Sequence, residues 1–165
     1  VESYFVNKTS ISVDVEVLIK NSEQEICAAS IVQLVPIDKA TGKIMRLSAV
    51  GIDDSDKYNL EEKISDIKLS RFKPCDMEDV DKVVIKYTNL DFLQHTNNKE
   101  YIRFILDTYT SEELKSRPIK EIEVQYINQS FEGDELTISK GVLEGKDVFA
   151  VSKGLDRIVK CEILR

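Results

Sequence analysis

Residues 87–106 read YTNLDFLQHTNNKEYIRFIL, and the change of rhythm inside them decides the fold. The first half is polar and holds Asp91, His95, Thr96, Asn97 and Asn98, mostly residue types that favour turns and helix starts. From about Asn97 the spacing turns helical, with Tyr101, Ile102, Phe104, Ile105 and Tyr109 on an i, i+1, i+3, i+4, i+8 stripe. Lys99, Glu100, Arg103 and Asp107 are assigned to the opposite, polar side. The helix is expected to fade near Ser116 and to stop before Pro118, whose ring removes a donor and clashes with the preceding turn.

Working outward, residues 83–88 (VVIKYT) read as a strand entering the polar loop. Beyond the helix, Ile122, Val124 and Tyr126 alternate with Glu121, Glu123 and Gln125. Leu136 and Ile138, then residues 148–151, then Val159, Cys161 and Ile163 continue the strand pattern, with turns at 131–134 and 144–146. Residues 82–165 therefore read as strand, loop, helix and an antiparallel meander of about four strands. A single apolar helix facing one curved sheet is a compact α+β arrangement.

The first third of the chain has a different texture. In residues 11–19, ISVDVEVLI, Ile11, Val13, Val15, Val17 and Ile19 share one face and Ser12, Asp14 and Glu16 the other, the pattern of a half-buried strand. A second strand over about 26–37 completes a long hairpin. Residues 51–81 are charged, interrupted by Pro74, and read as a linker.

Composition narrows the chemistry. Among 165 residues, 42% are hydrophobic and 32% charged, a globular balance, and no apolar run approaches the roughly 18 residues a membrane span needs. Twenty-three basic residues against 30 acidic ones give −7, which excludes bulk attraction to nucleic acid. Cys27, Cys75 and Cys161 are odd in number and far apart, so a reducing, cytoplasmic setting is expected, with Cys27 and Cys161 as core residues. One histidine, His95, cannot build a zinc site of ordinary spacing, so no metal and no cofactor is expected.

The order strand, polar loop, long helix, strands resembles a hot-dog domain, in which an antiparallel sheet wraps a central helix. Residues 87–106 also look like the signature of acyl-acyl-carrier-protein thioesterases, Asp-x-Asn-x-His-x-Asn-Asn followed two residues later by Tyr. VQYINQSFEGDEL (124–136) is similar to the next segment of that family, at the fitting distance. More loosely, ASIVQLVPIDKATGKIMRL (29–47) resembles the closing strands of the family's first domain. The resemblance implies a partial N-terminal hot-dog over 1–50, a linker over 51–81 and a C-terminal hot-dog over 82–165. The chain opens at Val1 without Met and reads as a trimmed piece of something longer. Its open hairpin is expected to be covered by a missing N-terminal half or by a second copy in a homo-oligomer.

On that resemblance the chain hydrolyses fatty acyl-acyl carrier protein to free fatty acid. Asp91 would be the water-activating base, His95 its partner, and Asn97 the helix start that polarises the carbonyl. Each also has a plain structural reading: a cap, a loop brace, a helix cap. Asn98, Tyr101, Ile105, Tyr126, Gln129 and Ser130 would meet the substrate, while Lys99 and Arg103, with Lys115, Arg117, Arg71 and Lys73, are candidates for the acidic carrier protein. Leu93, Gln129 and Ser130 occupy positions where the family carries Asn, Glu and Cys. Those departures support two other readings: a hot-dog module that binds acyl chains or carrier protein without cleaving, and an acyl-CoA thioesterase.

Overall fold

The computed structural model describes residues 1–52, 61–70 and 72–165 of the chain, which divides into two compact units, Val1–Ser70 and residues 71–165. Expectations that fall on residues 53–60 and on Arg71, part of the linker and one candidate cation, lie outside the described residues.

In the first unit, β1 (Glu2–Lys8), β2 (Val13–Lys20) and β3 (Ile26–Leu34) form a three-stranded antiparallel sheet in the order β1-β2-β3. The expected hairpin is present, and β1 adds a strand that the alternation of residues 11–19 did not announce. Burial is divided between the two faces: Val13 of the expected apolar face is buried, but so are Ser12, Glu16 and Leu18 of the other, while Ile11 and Ile19 are exposed. The cause is residues 61–70, whose backbone reaches β2: the Ile64 and Ser65 amides donate to the two carboxylate oxygens of Glu16 at 2.9 and 2.7 Å. A fully buried carboxylate survives because it is given donors. Burial works against its charge, but those amides, the neighbouring Ser65 hydroxyl and Lys63 outweigh it and hold the Glu16 carboxyl below its usual range. Cys27, on β3 at the edge of this sheet, is exposed rather than part of a core.

In the second unit, five antiparallel strands run in the order β4-β6-β7-β8-β5. They are β4 (Glu78–Val84), β5 (Glu121–Tyr126), β6 (Glu135–Leu143), β7 (Lys146–Lys153) and β8 (Asp156–Leu164). Three findings correct the sequence reading. The strand expected over 83–88 starts and ends earlier, and Tyr87–Asn89 forms a 3-10 turn instead. The last four strands are not a simple meander, because β5 pairs with β8, placing Val124 opposite Cys161, and leaves the flank of β6 to β4. The long helix is two: α1 (Asn98–Leu106) and α2 (Ser111–Ser116). Between them Thr110 starts a new helix with a capping box, its hydroxyl accepting from the Glu113 amide while the Glu113 carboxylate takes the Thr110 amide. Tyr109 turns inward there, its hydroxyl donating to Asp147 at 2.6 Å and its ring meeting Phe149 edge-on.

The core is the apolar stripe of α1 against one face of the sheet. Tyr101, Phe104 and Ile105 pack with Ile85, Leu136, Ile138, Phe149, Val151, Val159, Cys161 and Ile163. Burial pushes the Cys161 thiol up to about 12, so it is an inert core group rather than a nucleophile. Glu100, assigned to the polar side of the helix, is buried instead: its carboxylate accepts from the Asn89 side-chain Nδ2 at 3.0 Å and pairs with Arg103 at 3.2 Å.

Candidate active site

Residues 89–97 fold back on themselves as a short hairpin that delivers the chain to α1. Its rungs are the Asn97 amide on the Asn89 carbonyl (2.8 Å), a Leu90–Thr96 bridge, and the Asp91 amide on the His95 carbonyl (2.8 Å). Gln94 makes the tight reversal at φ 62°, the left-handed region that a non-glycine residue enters only when its neighbours hold it there.

Asp91 is half-buried at the outer rung, and its Oδ1 accepts the Leu93 and His95 amides at 2.8 and 3.2 Å. One carboxylate oxygen thus braces the loop. The other, Oδ2, has no hydrogen-bond partner among the described residues and is available to a water. The His95 imidazole stands edge-on to Phe131, ring centroids 5.2 Å apart, and its nitrogens make no hydrogen bond among the described residues. It therefore packs the loop against the next one, and only the His95 backbone amide, not its ring, is hydrogen-bonded to the Asp91 carboxylate among the described residues.

Asn97 is the N-cap of α1, its side chain accepting from the Lys99 amide at 3.1 Å. The Glu100 amide takes the Asn97 carbonyl at 2.8 Å. This leaves the Asn98 amide, the first of the helix, without an acceptor among the described residues, at the positive end of the helix dipole. Two residues of extended chain, about 7 Å, separate the Asp91 rung from the Asn97 rung.

Behind the hairpin lies a dry hydroxyl cluster. The Thr96 amide and hydroxyl both reach the Ser130 carbonyl, at 2.9 and 3.1 Å. Ser130 Oγ lies 2.7 Å from Thr96 Oγ1 and 2.8 Å from the Tyr101 hydroxyl, which also accepts the Ser130 amide at 3.2 Å. All three residues are buried, Ser130 completely. The cluster bolts the loop after β5 to the start of α1, and Thr96, which carries much of it, had no special mark in the sequence beyond its place in the motif.

The other residues singled out in the sequence scatter by depth. Ile105 lies in the core. Tyr126 is 42% exposed and its hydroxyl reaches the Asn98 carbonyl at 3.4 Å. Gln129, Asn98 and Lys99 are exposed, and Arg103 is spent on Glu100. Lys115 and Arg117 are exposed at the end of α2, and Lys73 pairs with Glu144 at 2.7 Å. The rim of the hairpin is apolar: Phe92 is 90% exposed, with Leu93 and Phe131 partly so.

Helix α1 laid along the inner face of a five-stranded antiparallel sheet, entered through a capped polar hairpin, defines an α+β hot-dog domain. Residues 72–161 match the acyl-ACP thioesterase C-terminal domain, and the chain belongs to that family. No curated protein sequence matches it. Among solved structures, it resembles an acyl-ACP thioesterase from Bacteroides thetaiotaomicron at 22% identity and a TM-score of 0.86, covering 98% of this chain and 66% of that one. A 12:0-ACP thioesterase from Umbellularia californica is 13% identical with a TM-score of 0.83, covering 98% and 65%. A putative oleoyl thioesterase from Lactobacillus plantarum is 15% identical with a TM-score of 0.75, covering 98% and 65%. The chain thus spans about two thirds of the length of the structures it resembles.

Proposed function

We propose that this chain carries the water-activating hot-dog of a thioester hydrolase acting on fatty acyl-acyl carrier protein. The observation that supports it most is the divided use of Asp91 within the family-matched segment: Oδ1 holds the loop while Oδ2 is unengaged among the described residues. A water on Oδ2 gives its proton to the carboxylate as its oxygen attacks the thioester carbonyl carbon. A positioned base of this kind contributes about 10²–10⁴-fold. Negative charge develops on the carbonyl oxygen, for which the unengaged Asn98 amide at the dipole end of α1 is the natural donor. Collapse breaks the carbon–sulfur bond, and the proton held on Asp91 passes to the departing thiolate. The acyl tail runs over the apolar rim of Phe92, Leu93 and Phe131, and exposed Lys99 meets the acidic carrier. The working unit is a pair of hot-dogs, in the cytoplasm.

The test is release of free thiol from an acyl-acyl carrier protein by the purified chain and by Asp91→Asn, with acyl-CoA in parallel. The expected result is turnover by the parent chain, a loss of at least about 10²-fold in the variant, and an unchanged circular dichroism spectrum. Equal turnover by both proteins refutes the role of Asp91. A second reading, a module that binds acyl carrier protein or acyl chains without hydrolysis, draws on Leu93, which brings no amide where the resembling family has Asn, and on Gln129, which brings no carboxylate where it has Glu. Saturable binding without thiol release supports that reading.

A further inference from the structure

The face of the five-stranded sheet turned away from α1 holds a chamber of about 390 Å³, within the range of small-molecule sites. Its floor is Val148 and Ala150, only 2% and 1% exposed although their neighbours Phe149 and Val151 are the ones that face the helix. Both faces of β7 are therefore buried, the outer one by residues 72–77, which bring Phe72 and Met77 over the chamber as a roof. The roof lies close: a Cβ added at Gly141 would stand 2.3 Å from the Asp76 carbonyl oxygen.

The chamber's charge is one-sided. Arg157 and Lys160 line it, both half-buried, and neither makes an ion pair or side-chain hydrogen bond among the described residues. The third lining cation, Lys73, is already neutralised by Glu144. The described lining residues include no carboxylate, in a chain whose net charge is −7. Two half-buried cations that no side chain among the described residues neutralises leave their donors open to an incoming anion. The apolar roof and floor ask for a tail, and the paired cations ask for a compact, singly charged head. A guanidinium beside an ammonium binds a carboxylate through short charge-assisted hydrogen bonds.

We infer that this chamber binds an amphipathic carboxylate, with the head on Arg157 and Lys160 and the apolar tail along the half-buried Phe72 and Met77. The site lies across the sheet from the 89–97 hairpin and does not depend on Asp91 or on any hydrolysis there. If the chain releases fatty acids, a site of this chemistry would let the product act back on the protein at a distance from where it forms.

The chain contains two methionines, Met45 and Met77, so methyl-labelled methionine gives a local probe with an internal control. The full chain is titrated with decanoate and with decanol, both below micelle formation. Decanoate is expected to shift the Met77 methyl saturably and leave Met45 in place, with decanol at least about tenfold weaker. The double variant Arg157→Gln, Lys160→Gln is expected to weaken decanoate about tenfold or more while leaving decanol unchanged. Phe72→Ala, which removes an apolar wall, should weaken the response to both. Asp91→Asn should leave all of these shifts as they are, which separates the chamber from the catalytic proposal. A stationary Met77 methyl in the parent chain, equal binding of the acid and the alcohol, or indifference to loss of the two cations overturns the inference.

Discussion

Replacing Tyr101 by Phe removes one oxygen from the dry cluster behind the hairpin, and the cost follows from counting protons. The Ser130 amide needs the Tyr101 hydroxyl as its acceptor. Thr96 Oγ1 lies 3.1 Å from the Ser130 carbonyl, which can only accept. The arrangement that uses every proton once runs Ser130 amide to Tyr101 hydroxyl, to Ser130 Oγ, to Thr96 Oγ1, to Ser130 carbonyl. Tyr101→Phe leaves the Ser130 amide buried without an acceptor, about 1–3 kcal/mol, and deletes one further hydrogen bond worth about 1 kcal/mol, for a total of about 2–4 kcal/mol. Ser130→Ala removes the middle link and should cost about 1–3 kcal/mol. Because both variants break the same Tyr101–Ser130 contact, the double variant should fall short of the sum by about 1 kcal/mol or more. Urea unfolding followed by far-ultraviolet circular dichroism gives the energies. Native-state hydrogen exchange at the Thr96 amide, bonded to the Ser130 carbonyl at 2.9 Å, reports whether the hairpin itself loosens. A Tyr101→Phe variant within about 0.5 kcal/mol of the parent, with Thr96 exchanging at the parent rate, would refute the idea that this cluster holds the hairpin.

Gly141→Ala should displace residues 72–77, since its methyl would sit 2.3 Å from a backbone oxygen; faster exchange across β6 and greater alkylation of Cys75 would register this, and unchanged reactivity would contradict it. Burial, then the hydrogen bond to Asp147, raise the Tyr109 phenol well above its usual value. A raised native value means that this stabilisation is complete below the unfolded phenol value near about 10 and is lost as pH climbs past it. The ultraviolet titration of Tyr109→Phe should accordingly lack one late-ionising tyrosine. The Glu16 carboxyl, held low, contributes in the opposite direction: its stabilisation is present above the unfolded carboxyl value of about 4.3 and is lost as pH falls through the lower native one. Glu16→Gln should flatten the acid dependence of exchange at the Ile64 and Ser65 amides, and a parallel curve would argue against it.

The local rhythms were readable. The stripe from Tyr101 to Ile105 depends on neighbours a few positions away and appears where its period says, as do the strands at 121–126 and around 159–163; Val159, Cys161 and Ile163 are buried as expected, whereas Ile122 and Tyr126 of β5 stay exposed. Misreadings arose where a distant segment decides. On β2 the burial of Glu16 depends on Ile64 and Ser65 some fifty positions on, which the alternation could not show, although Val13 of the apolar face is buried as expected. That β5 lies beside β8 is a matter of how the chain crosses the sheet, which alternation within either strand does not encode. Glu100 looked like a solvated charge until Asn89 gave its carboxylate a donor within the fold. At the site, the motif located Asp91 and the cap Asn97, but the division of labour between the two oxygens of Asp91, and the Thr96–Ser130–Tyr101 cluster, depend on tertiary hydrogen bonds.

The three positions at which this chain leaves the resembling thioesterase pattern are not equally reversible. Leu93 and Gln129 are open to solvent, and exchanging either alters little beyond its own side chain. Ser130 is different: a sulfur there is bulkier and a poor acceptor, and it would have to displace both Thr96 and Tyr101 from their partners. Mutational routes between the two patterns are therefore ordered. The surface steps can come at any time, whereas the serine can change only after its two hydroxyl neighbours have found other company.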